Sequence, residues 1–174
     1  MSSSSNKRVR DILSHNEKPI FINPDASIAD CLKTFKQNNV GFVIVSDNNE
    51  TVTGVLTDRD VACRLADTAN YENLRVKDCM YPTNDPNSNK LVIAKDDDDV
   101  RTVASKMSQA HVRRVPIVDK RGKAVGVLSL SDIAKVDPEL AGNMLSNLSV
   151  PPSTANLEQP WSASSSSSPS RQQI

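Results

Sequence analysis

Two seven-residue phrases carry the side chains best suited to chemistry. One runs Gly54-Val55-Leu56-Thr57-Asp58-Arg59-Asp60 and the other Gly126-Val127-Leu128-Ser129-Leu130-Ser131-Asp132. In each, a short apolar run ends in a hydroxyl residue, and an aspartate follows three positions later. That spacing places a hydroxyl at the N-cap of a helix and an acid at its third position, a capping box that stabilises a helix by about 1 kcal/mol. The same geometry suits a ligand. Unpaired N–H groups at a helix start can receive a phosphate, and a nearby carboxylate can accept two hydrogen bonds from the vicinal hydroxyls of a ribose. Residue types alone leave both readings open.

Other constellations are weaker. The two histidines, His15 and His111, stand far apart, and neither a G-x-S-x-G phrase nor a G-x-x-x-x-G-K-[ST] loop occurs. Cys31, Cys63 and Cys79 form no CxxC pair, so three reduced thiols in a reducing compartment are expected. The acidic run Asp96–Asp99 lacks the glycine and the twelfth-position glutamate of a calcium-binding helix-loop-helix. Four carboxylates at a helix start are also what the macrodipole favours, so no metal is expected. Nothing here points to an enzyme.

The elements that position the two phrases come in two copies. Sliding the chain by 72 positions lays residues 19–66 on residues 91–138 without a gap, pairing Val43 with Val115, Gly54 with Gly126, Leu56 with Leu128 and Asp60 with Asp132. Such self-similarity marks a repeated supersecondary unit. Apolar runs at Pro19–Ile22 and Leu91–Ala94 predict buried strands. Ser27 and Asp99 are candidate N-caps for helices whose apolar residues recur at Ile28, Cys31, Leu32 and Phe35, and at Val100, Val103, Ala104 and Met107. β-Branched runs at 40–45 and 112–118, polar turns, second strands at 52–56 and 124–128, and short helices near 60–66 and 132–136 complete the order β-α-β-β-α, twice. A leader recurs before each copy at a different offset, Val9-Arg-Asp-Ile-Leu13 and Val76-Lys-Asp-Cys-Met80.

Together, the paired G-h-h-[ST]-x-x-D phrases, the V-x-D-h-[LM] leaders and the segment Val112-Arg113-Arg114-Val115-Pro116-Ile117-Val118-Asp119 resemble a tandem pair of CBS domains, the module named after cystathionine β-synthase. The resemblance covers about residues 8–138. It implies an α+β fold in which two β-α-β-β-α repeats pack through their sheets about a pseudo-twofold axis as one compact module. Expected boundaries are a disordered lead at 1–6, repeats at 7–72 and 73–138, a C-terminal helix at 139–150 and a disordered Ser/Pro-rich tail at 151–174.

The resemblance also implies clefts for adenosine-containing ligands: AMP, ADP, ATP or S-adenosylmethionine. Asp60 and Asp132 match the ribose-binding positions. Thr57 and Ser129 match the phosphate-side hydroxyls, with Ser131 a second hydroxyl in the latter cleft. Ile20, Ile22, Val92 and Ala94 are candidates to flank adenine. Arg113 and Arg114 stand where family members often place cations facing phosphate, or are an ordinary solvated pair. The first copy has Gly41 and Phe42 there, with Arg59 in the place of Ser131 as the available substitute. The cleft of Asp132 is therefore expected to bind nucleotide more tightly.

The expected function is a stand-alone regulatory module that reports adenylate status, requires no cofactor, and forms a homodimer through helical faces including Leu32, Phe35 and Met107. The alternative is a structural dimerisation module with vestigial sites. With 21 basic and 21 acidic residues, neither nucleic acid nor membrane is expected as partner. Met1 to Arg10 contains no apolar run, so no secretory signal is read, and a cytoplasmic location is expected. The serines with Lys7, Arg8 and Arg10 keep mitochondrial import as a minor alternative.

Overall fold

The computed structural model of this 174-residue chain describes residues 7–13, 18–68, 71–83 and 91–149. The lead and tail expected to be disordered lie outside them. The elements run α1 (Val9–Ile12), β1 (Phe21–Ile22), α2 (Ile28–Asn38), β2 (Phe42–Val45), β3 (Gly54–Thr57) and α3 (Asp58–Ala66). A 3-10 turn at Val76–Asp78 follows, then β4 (Tyr81–Pro82), β5 (Ala94–Lys95), α4 (Val100–Gln109) and β6 (Arg114–Val118). The last elements are β7 (Ala124–Ser129), α5 (Leu130–Val136) and α6 (Pro138–Ser149). This is the expected α+β class, with the repeat unit present twice.

Helix starts follow their caps. Ser27 Oγ accepts the Asp30 N–H at 3.0 Å, and Asp99 Oδ1 accepts the N–H groups of Arg101 and Thr102 at 3.0 and 3.1 Å. After α2 and α4, Asn39 and His111 turn the chain at equivalent places with φ of 52° and 53°. The strands come in two sheets, ordered β1-β2-β3-β4 and β5-β6-β7. In each, a parallel pair is followed by an antiparallel one. Val43 pairs with Leu56 and Val115 with Leu128, so the gap-free offset of the sequence reappears as strand register.

Three cores result. Val43, Val45 and Leu56 pack with Ile28, Cys31, Phe35 and Val61 beneath the helices of the first repeat. Val115, Ile117 and Leu128 do so with Val103, Met107 and Ile133 in the second, joined by Ala141 and Met144 of α6. The alternate residues Phe42, Ile44 and Val55 bury against Tyr81 and Ala124, with Leu91 and Val127 at the margin. Strands buried on both faces need an unbroken apolar run, which Phe42–Val45 provides. The expected apolar exposure of Phe35 and Met107 is not found, because both sit in these cores at 7% and 0% exposed.

The leaders cross over. Val9 N–H donates to Asp98 O at 3.0 Å and Arg10 N–H to Asp96 O at 2.8 Å, while Val76 N–H donates to Ala26 O at 3.0 Å and Lys77 N–H to Pro24 O at 2.9 Å. The acceptors are 72 positions apart and so equivalent in the two repeats, and each pair of bonds is made by the leader that precedes the other repeat. Val9 thus lies in the core of the second repeat, and Leu74, Val76 and Cys79 lie in that of the first. β4 then pairs antiparallel with β3. A Cβ at Gly54 would stand 2.7 Å from the Tyr81 carbonyl oxygen, so this glycine is what lets β4 approach.

Candidate ligand clefts

Each seven-residue phrase spans the exit of a strand into a helix, β3 into α3 and β7 into α5. The register places Thr57 opposite Phe42 and Ser129 opposite Arg114, so the end of one strand meets the beginning of its neighbour. β1 enters at the same edge, with Ile44 N–H donating to Ile20 O at 2.9 Å. Three segments therefore converge in each copy: residues 18–20, 40–42 and 57–60 in one, and 91–92, 112–114 and 129–132 in the other.

Both phrases form the expected capping boxes. Thr57 Oγ1 donates to Asp60 Oδ2 at 2.5 Å and accepts the Asp60 N–H at 3.2 Å, while Thr57 N–H donates to the same Oδ2 at 3.1 Å. Ser129 and Asp132 repeat this with distances of 2.5, 3.2 and 3.0 Å. In both, carboxylate Oδ2 is committed to the cap.

There the copies part. Asp60 is 9% exposed, and the Tyr81 hydroxyl of β4 donates a hydrogen bond to its carboxylate. Burial first, and then the charge and hydrogen bonding of Asp60, push the Tyr81 hydroxyl above its usual pKa. Asp132 instead receives Lys135 on Oδ1 at 3.1 Å, and that lysine is 71% exposed. Burial pushes the Asp132 carboxyl up, but hydrogen bonds from Ser129 and Lys135 outweigh it and hold the carboxyl below its ordinary value. Ser131 Oγ lies 2.7 Å from Ser129 Oγ, so the two hydroxyls stand together.

The flanking position differs in charge. Asp58 N–H donates to Gly41 O at 3.3 Å, and at the same place in the second copy Leu130 N–H donates to Arg113 O at 3.0 Å. A Cβ at Gly41 would stand 2.7 Å from Asp58 Oδ2, so the first copy lays a carboxylate where the second starts an arginine side chain. Arg113 and Arg114 are both exposed, whereas Phe42, the counterpart of Arg114, is buried between the sheets. Of the apolar candidates, Ile22 and Ala94 are buried within the cores, and Ile20 and Val92 are half-buried at their margins.

Three participants escaped the sequence reading. Lys135 was visible in principle, since a cation three residues beyond an acid on a helix is a known pairing. Asp58 reads locally as first-turn acid, and only its fold-back over Gly41 gives it meaning. Tyr81 carries no local signal, because tertiary pairing of β4 delivers it. The acidic run Asp96–Asp99 receives the first leader: its carbonyls accept the leader N–H groups, Arg8 Nη1 donates to Asp97 O at 2.7 Å, and Asp99 caps α4. Among the described residues no cluster of three or more His, Cys, Asp or Glu could hold a metal ion. A groove of about 590 Å³ between α4 and α6, lined by Arg101, Ser105, His111 and Met144 among others, contains none of the expected site residues.

Comparison with known proteins gives a consistent result. The family model described as CBS domain matches residues 9–67 and again 76–139. The CBS domain-containing protein YhcV of Bacillus subtilis is 31% identical over 130 residues, which are 74% of this chain and 86% of that protein. Other curated relatives are longer, the match spanning 59% of one and 26% of another. Among solved structures, the CBS domain protein TA0289 of Thermoplasma acidophilum superposes with a TM-score of 0.67 at 22% identity, covering 81% of this chain and 75% of that one. The CBS domain pair of protein MJ0100, solved in complex with 5′-methylthioadenosine and S-adenosyl-L-methionine, gives 0.61 at 27% identity, covering 74% and 94%.

Proposed function

We propose that this chain, which belongs to the CBS domain family and carries its repeat twice, is a regulatory module that binds adenosine-containing ligands and signals occupancy to a partner or to its own oligomer. The observation that carries this reading is the second cleft. There Asp132, Ser129 and Ser131 offer a carboxylate and two hydroxyls, and Arg113 and Arg114 stand on the neighbouring strand end. The carboxylate suits a ribose diol, and guanidinium groups bind phosphate through charge-assisted, bidentate hydrogen bonds. Lys135 is a displaceable partner, since an exposed ion pair is worth only about 0–1 kcal/mol. The ligand class is supported by the MJ0100 pair, whose complex holds two adenosyl compounds. Adenine would find its apolar contact at Val92 in this cleft and at Ile20 in the other.

The reading includes a homodimer formed through helical faces. Leu32 of α2 is 43% exposed and Leu145 of α6 is 50% exposed, so these leucines, rather than Phe35 and Met107, are the apolar groups available to it.

A thermal-shift titration of the full chain with AMP, ATP and S-adenosylmethionine tests the proposal. Ligand at a hundred times its Kd adds about 2.7 kcal/mol of stability. Asp132→Ala is expected to remove the larger part of the AMP shift, and Asp60→Ala to leave it nearly intact. No shift with any adenosyl compound, together with a dimer by light scattering, would favour a structural dimerisation module instead.

A further inference from the structure

The two copies use one backbone hydrogen bond to hold opposite charges at the mouth of their clefts. In the first, the bond from Asp58 N–H to Gly41 O leaves the Asp58 carboxylate folded over a residue with no side chain. In the second, the bond from Leu130 N–H to Arg113 O puts an apolar residue in place of the acid and a guanidinium in place of the glycine. The surroundings reinforce the contrast. In the first cleft two acids, Asp58 and Asp60, share the converging segments with Lys18 and Arg59, and the Arg59 backbone N–H donates to Asp58 Oδ1 at 2.8 Å. In the second a single acid, Asp132, is paired with Lys135 at 3.1 Å, and the exposed Arg113 and Arg114 stand at the start of the neighbouring strand. Asp60 also spends a hydrogen bond on buried Tyr81, so the first cleft is held by the fold where the second is held by exposed lysine.

We propose that the clefts are coded by charge: the first takes an adenosyl ligand whose 5′ end is cationic or uncharged, with Asp58 as the selecting residue, and the second takes the phosphate-bearing one. This rests on the adenosine-binding reading above. A phosphate approaching Gly41 meets the Asp58 carboxylate, and like charges across a contact discriminate strongly against the wrong ligand. A sulfonium at the same point is attracted by it. The apolar walls of the two clefts are alike, so the distinction resides in the 5′ substituent.

Calorimetry on the full chain with AMP and S-adenosylmethionine tests this. Asp132→Ala leaves the first cleft as the working site, and it should bind S-adenosylmethionine with AMP weaker by about tenfold or more. Adding Asp58→Asn should narrow that ratio, and Asp58→Lys should invert it. Should Asp132→Ala fail to fold, Asp58→Lys in the otherwise native chain should raise the number of AMP sites from one to two. Unchanged AMP to S-adenosylmethionine preference in both Asp58 variants overturns the charge code while leaving adenosine binding in place. Failure of the native chain to bind either compound overturns the underlying reading and this inference with it.

Discussion

At the scale of single residues, identical side chains acquire different chemistry from their surroundings. Asp60 and Asp132 occupy the same place in the same phrase, yet one is held by a tyrosine from β4 and the other by a lysine on its own helix. The thiols show a related effect. Cys31 and Cys79 lie in the core of the first repeat at 0% and 1% exposed, and burial pushes them up, Cys31 to about 12 with Cys79 adding to the shift, and Cys79 to about 11. Their ordinary value is 9.0. Above it the unfolded chain loses these protons and the folded chain keeps them, so the unfolded state is favoured as pH rises. The associated stability is fully present below pH 9 and is lost progressively as pH rises toward the folded values, at roughly 1.4 kcal/mol per pH unit for each thiol. Denaturant midpoints measured at pH 8, 9 and 10 are expected to fall over the last interval, and to fall less in a Cys31→Ala/Cys79→Ala double variant. At neutral pH, Cys63, the half-buried thiol, should be the fastest to alkylate. A midpoint that is flat to pH 10, or a double variant that falls as steeply as the native chain, would refute the assignment.

At the scale of elements, the sequence was most legible where the signal is local. Ser27 and Asp99 start their helices as expected, and Thr57 and Ser129 close their capping boxes. Strand ends were less legible. Pro19 and Ile20, and Leu91 to Ile93, are apolar and precede strands of only two residues, because pairing with β2 or β6 begins later. β4 was invisible, since Tyr81–Pro82 becomes a strand only by pairing with β3. The leaders read as repeats in the sequence, but nothing local tells which body each one joins. Their crossed packing makes a specific prediction. Val9 is fully buried among Val100, Val103 and Ile133, so Val9→Ala should cost about 2 kcal/mol. Hydrogen exchange should then accelerate in α4 more than in α2. Val76→Ala should do the reverse, loosening α2, whose first turn it lies against. Faster exchange in α2 on Val9→Ala, with α4 unchanged, would contradict the exchange of leaders.

At the scale of the whole molecule, the crossing ties the repeats together more firmly than their shared apolar face does alone. The inter-sheet core contributes Phe42, Ile44, Val55 and Tyr81 from one side and Ala124 from the other, and Glu50 joins Lys123 through an ion pair at 2.7 Å. A cut between residues 72 and 73 uncovers that face, and it also separates each leader from the repeat it completes. Residues 1–72 then lack Leu74 and Val76, each worth about 1.5–3 kcal/mol when buried, and lack the β4 strand beside β3. Set against a net stability of about 5–15 kcal/mol for an ordinary domain, these losses are decisive. Residues 1–72 and 73–150 should each unfold without a cooperative transition by circular dichroism. An equimolar mixture should regain one, because each half brings the leader the other needs. Residues 18–83, which keep the first repeat with the leader that packs on it, should hold more helix than 1–72 while remaining less stable than the full chain. A cooperative transition in 1–72 alone, or a mixture no more ordered than its parts, would show that the crossed leaders are not what makes the two repeats fold as one unit.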